Sequence, residues 1–142
     1  MTTNEFAAWA AERGLRPDAI DQLARVAASP EEMQAAFDSV ELPPPIYSLR
    51  DIQGMTDDFG YGISPTEHGF IFVGACPNGD PIALDVEDEP GSVWYVCMVE
   101  MQDTPLREIA IRVADNVESL LRQMTEEDGF PIDYYSAEDM GY

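Results

Sequence analysis

Lysine is absent from this chain, and its absence sets the first limits. Seven arginines stand against 28 aspartates and glutamates, giving the 142 residues a formal net charge of −21. Such a field repels nucleic-acid phosphates and anionic membrane surfaces, so direct binding to either is disfavoured and a basic protein partner is the natural complement. Acidity also serves solubility, and composition alone leaves both readings open.

Histidine is nearly absent. His68 is the single one, with no Ser, Cys or carboxylate at motif spacing, and it reads as a turn residue rather than a catalyst. Cysteine is limited to Cys76 and Cys97, both inside apolar patterns and without a C-x-x-C pair, which predicts buried free thiols in a reducing compartment. No apolar run approaches a membrane span, and Met1–Phe6 has neither the basic nor the apolar part of a signal peptide; the expected location is the cytoplasm. Nothing marks a catalytic residue, a cofactor site or a metal centre, and an enzyme is not expected.

Enough apolar and aromatic residues are present, 45% and 10%, for one globular domain over residues 1–142. Residues 1–40 read as helical. Thr2 and Glu5 have capping-box spacing ahead of Phe6 and Trp9, which should face the core. Pro17 opens a second stripe through Ile20 and Leu23. Ser29-Pro30-Glu31-Glu32 restarts the chain before Met33 and Phe37. Three such narrow stripes are expected to cover one face or end of a sheet. Residues 41–68 are a Pro/Gly-rich connection in which Pro43-Pro44-Pro45 is a stiff connector and Ile46–Ile52 a candidate edge strand.

From Gly69 the pattern changes. Strands are predicted near 70–76, 81–86 and 93–101, the first apolar on both faces as for an interior strand. Asn78-Gly79 marks a hairpin, and Pro77 beside it argues for a loop wider than two residues. Thr104-Pro105 then starts one long helix, near 105–124, with Leu106, Ile109, Val113, Val117, Leu120 and Met124 on its apolar stripe. The fold class is therefore α+β: an antiparallel sheet packed by this helix.

Two acidic stretches stand apart. Asp85-Val86-Glu87-Asp88-Glu89 lacks the ligand order of a calcium loop and reads as a solvated turn. Residues 126–142 form an acidic-aromatic tail. Interleaved Tyr134, Tyr135 and Asp133 suit contact with a basic surface; equally, Phe130 and Ile132 suit folding back onto the body. The candidate partner-binding residues are Asp85, Glu87, Asp88, Glu89, Trp94, Asp133, Tyr134 and Tyr135.

Residues 69–125 also resemble a known family. Gly69-Phe70-Ile71-Phe72-Val73-Gly74, Asn78-Gly79-Asp80, Ile82-Ala83-Leu84-Asp85, the aromatic segment Val93–Val99, and Ile109-Ala110 leading to Leu120-Leu121 resemble the SMI1/KNR4 family of the SUKH superfamily. The resemblance implies a non-enzymatic α+β domain. Many bacterial members of that family are immunity proteins that block toxins, often nucleases or deaminases, through a variable acidic surface; fungal members are regulatory scaffolds, the alternative role the resemblance implies for this chain.

Overall fold

Where the sequence pattern predicts one helix from 105 to 124, the chain makes a strand and then a helix. The computed structural model describes all of residues 1–142. In chain order it has α1 (Thr3–Glu12), α2 (Pro17–Ala28), α3 (Pro30–Asp38), α4 (Leu49–Asp57), β1 (Phe70–Ala75), β2 (Pro81–Asp85), β3 (Val93–Val96), β4 (Ala110–Ala114), α5 (Val117–Glu126) and α6 (Tyr134–Asp139). Short 3₁₀ turns occupy Pro65–His68, Met98–Glu100 and Leu106–Ile109.

The α+β class holds, with one antiparallel sheet in the order β1-β2-β3-β4. The corrected segment has a physical cause. Ile109, Ile111 and Val113 are β-branched and alternate, which favours a pleated strand beside β3 over a helix with restricted χ1. Asn116 then accepts a hydrogen bond from the Ser119 amide and caps α5. β3 is also shorter than 93–101: pairing stops at Val96, and Met98–Glu100 turns away as 3₁₀.

The segment 41–68 is more ordered than its Pro/Gly content predicts. Ser48 accepts from the Asp51 amide and caps α4, so the candidate edge strand 46–52 is reduced to a single bridge, Ile46 to Gly74. That segment seals the outer edge of β1. The Ala75 amide donates to the Pro45 carbonyl at 3.0 Å, and the Tyr47 amide to the Val73 carbonyl at 2.9 Å. Thr56 of α4, itself buried, accepts from the Phe72 amide at 3.1 Å and donates to the Phe72 carbonyl at 3.3 Å. Three residues, Pro45 and Tyr47 of this segment and Thr56 of α4, thus satisfy the backbone groups an edge strand leaves open.

The hairpin between β1 and β2 closes on Cys76 and Asp80, whose backbone bond is 2.8 Å, leaving the three-residue loop 77–79 with Gly79 at φ +97°. It is wider than two residues, as Pro77 requires. Phe6 and Trp9 are buried as expected, and one hydrophobic cluster runs from Phe6 to Ala137. Ala137 lies in the tail, which therefore packs back onto the body and is helical there.

Candidate partner-binding surface

Eight side chains come from the sequence as candidates, and they fall into two groups. Alternation along β3 separates them. Trp94 shares its face with Asp85, through Ala83 in the β2–β3 register. Tyr95 points the other way and donates from its hydroxyl to the Pro131 carbonyl at 2.8 Å, which puts the tail on the opposite face. The turn and the tail do not form one surface.

At the turn, Asp85 is fully buried and so is not a surface residue. Its carboxylate accepts from the backbone amides of Glu87 at 2.8 Å and Glu89 at 2.9 Å, and from Arg107 Nη2 at 2.7 Å. Burial pushes its pKa up, but the arginine and the two amides outweigh that and hold it below the ordinary aspartate value. Asp85 organises the turn from within. Arg107 is fixed in turn by the His68 and Gly69 carbonyls, at 2.7 and 3.0 Å, and lies 4.0 Å above the Phe70 ring and 5.6 Å from that of Trp94.

Trp94 is half-buried, and its indole N–H is spent on Ser92 Oγ at 2.9 Å. Glu87, Asp88 and Glu89 are exposed, but the turn is not a bare negative patch. Glu89 pairs with Arg112 at 2.6 Å, and Glu87 stands 4.0 Å from Arg107. Two of the seven arginines are thus placed where acid is densest in the sequence. That pairing weakens the field the turn presents to a partner.

The tail is organised by a residue the sequence reading did not single out. Asp80, at the base of the hairpin and 1% exposed, accepts from the Met98 amide at 3.0 Å, from the Tyr134 amide at 3.1 Å and from Asn78 Nδ2 at 2.9 Å. Asp133 caps α6, accepting from the Ser136 amide at 2.8 Å while Ser136 Oγ accepts from the Asp133 amide. Tyr134 is buried and belongs to the core. Tyr135 is exposed, and its hydroxyl accepts from the Cys97 thiol at 3.4 Å. Tyr135 is held above the usual tyrosine value, with Cys97 as the main cause, and is neutral at physiological pH. Both cysteines are free and buried, and desolvation raises the Cys76 thiol far above its usual value.

Beside Tyr135 the surface turns apolar. Met98 and Val99 are 44% and 73% exposed, and with Tyr61, at 71%, they line a hollow of about 250 Å³ closed by Met101 and Gln102. Met98 follows Cys97 directly, so this hollow and Tyr135 adjoin. Glu100, two residues after Met98, is exposed at the end of the same turn. Glu100, Asp103, Glu138 and Asp139 take no part in the protein's ion pairs, which use Glu12, Asp18, Asp57, Asp85, Glu87, Glu89, Asp115 and Glu118. The exposed Tyr61, Met98 and Val99 around this hollow, with the exposed Glu100 next in the chain, have the make-up of a small apolar patch bordered by acid.

The pattern hid Met98 and Val99, because strand periodicity through Met101 assigns them to the interior. Tyr61 lay in the glycine-rich connection, where nothing marked it. No helix is long and apolar enough to cross a membrane. No family model matches the chain, and neither a curated protein nor a solved structure does.

Proposed function

We propose that this protein is a non-catalytic binding protein of the cytoplasm that covers a basic surface on a protein partner, and that the partner is a bacterial toxin domain, a nuclease or a deaminase, to which it confers immunity. The observation that carries the binding role is the exposed apolar hollow of Tyr61, Met98 and Val99, with Glu100 exposed at its border and Tyr135 exposed on α6. Exposed apolar surface of this kind costs solubility unless something covers it. The net charge of −21 selects a cationic partner and accelerates its capture. The toxin identity rests on the resemblance of residues 69–125 to immunity proteins.

Co-expression with the toxin-like domain encoded beside this chain's gene tests the reading. The protein restores growth of the host and forms a 1:1 complex on gel filtration. Its affinity falls at least about tenfold as salt shortens the screening length from roughly 14 to 4 Å. A Val99→Asp/Tyr135→Ala double variant stays folded and loses the rescue. Absence of both rescue and complex with the wild-type chain sinks the toxin reading.

A further inference from the structure

The two edges of the sheet are treated differently. β1 is sealed by Pro45, Tyr47 and Thr56, as described above. No group hydrogen-bonds the outer edge of β4 in this way, although α5 and α6 pack against the strand. Its register with β3 pairs Val96 with Ala110, Tyr95 with Ile111 and Trp94 with Arg112, and the Cys97 amide donates to the Ile109 carbonyl at 2.8 Å. Bonded and non-bonded pairs alternate along an antiparallel ladder, so Ile111 bonds inward to Tyr95 while Ala110 and Arg112 turn their N–H and C=O groups outward. No backbone or side-chain group of the protein pairs with them outside the sheet. The register shift between Val93 and Trp94 leaves Val113 as an extra residue and ends the usable edge there. Two donors and two acceptors remain, on residues that are half-buried at Ala110 and Ile111 and exposed at Arg112.

Two occupants suit such an edge, and charge decides between them. A second copy of the chain would bring together two bodies of −21 each. A cationic segment gains where a second copy loses. Glu108, unpaired and exposed, stands before the edge, and Asp115, paired with Arg112 at 2.6 Å, follows it. Tyr135 belongs to α6, which packs against β4, and its hydroxyl contacts Cys97 just after β3.

We infer that the β4 edge at Ala110–Arg112 takes an extended, lysine- or arginine-bearing segment of a partner protein as a fifth strand of the sheet. This rests on the partner-binding reading above and adds how the partner's backbone is held. Main-chain bonds to Ala110 and Arg112 supply the pairing, and Tyr135 and the flanking carboxylates read the side chains.

The probe is an end-blocked hexapeptide of alternating Val and Lys, compared with two versions of it carrying N-methyl groups on one or the other set of alternate amides, which keep the charge and block pairing along one edge of the peptide. Amide exchange of the full protein is followed by NMR. The unmodified peptide slows exchange at Ala110 and Arg112 at least about tenfold, and both methylated peptides, which differ in the amides blocked, fall short of the parent, one of them giving no protection. Equal protection by all three peptides, or none, overturns the inference. If all three bind and shift only Tyr135, Met98 and Glu100, the partner reading stands and strand addition fails; if none binds, even at low salt, both fail. Protection of Ala110 and Arg112 in the free protein that rises with its own concentration assigns the edge to a second copy and also overturns the inference.

Discussion

Arg107 donates to the Asp85 carboxylate across 2.7 Å, and only the arginine touches water: its side chain is 26% exposed and that of Asp85 not at all. A buried acid is thus held by a base that reaches it from the surface, over the faces of Phe70 and Trp94. The pair joins the β2–β3 turn to the segment before β4, residues that no sequence pattern had placed together.

Arg107→Met tests what that join contributes. It leaves the Asp85 charge buried with two backbone amides but no counter-ion, and the expected loss is about 3 kcal/mol by urea denaturation. The double variant Asp85→Asn/Arg107→Met recovers part of it, because the stranded charge is gone. Equal losses in single and double variants would show that stacking on Phe70, not the ion pair, carries the effect.

The acid limb of the stability curve follows from the same group. The native pKa of Asp85 is depressed, so between it and the unfolded value the unfolded chain binds the extra proton and stability rises with pH. The contribution is complete above the unfolded value, about 3.9, and is lost as pH falls through the native one. Unfolding followed from pH 6 downward by circular dichroism should lose stability less steeply below about pH 4 in Asp85→Asn than in the wild type.

Two glycines give opposite outcomes. A Cβ on Gly74 would stand 1.7 Å from the Pro45 carbonyl oxygen, a backbone atom of the segment sealing β1. Gly74→Ala must push that segment off, and the expected cost is about 3 kcal/mol. Gly54, within α4, has no atom within 4 Å of its Cβ position. Gly54→Ala should stabilise by about 0.5–1 kcal/mol through helix propensity. Thermal melts of the two variants check both signs.

Val99→Asp separates binding from folding. Val99 is 73% exposed and buries little on folding, so stability should stay within about 0.5 kcal/mol of wild type. Within an interface core the same change adds a carboxylate to an apolar contact, and partner affinity should fall by about 2 kcal/mol, roughly thirtyfold. Calorimetric titration against the partner reads the second number, and a thermal melt the first.

How much of this was legible in the sequence depends on the range of the interaction involved. Local signals worked: Thr2 caps α1 through the Glu5 amide, Pro17 and Pro30 open α2 and α3, and Pro77 widens its hairpin. The segment 105–124 misled because Ile109, Val113 and Val117 fit helical spacing and strand alternation at once. Pairing with β3 decided the case, and that is a tertiary fact. Of the candidate surface, Glu87, Asp88, Glu89 and Tyr135 are exposed as expected. Asp85 and Tyr134 are buried because Arg107 and Asp80, distant in sequence, reach them. Type and spacing do not show which carboxylates acquire a partner from elsewhere in the chain.

The three bonds to Asp80 bear on the thermodynamics of recognition. One carboxylate at the hairpin base fastens both the start of the Met98–Glu100 turn and the first residue of α6, which presents Tyr135. The apolar floor and the aromatic beside it therefore share one anchor and cannot drift apart independently. A surface held this way has given up its conformational entropy at folding, so less is lost when a partner arrives, and the gain falls chiefly on the lifetime of the complex.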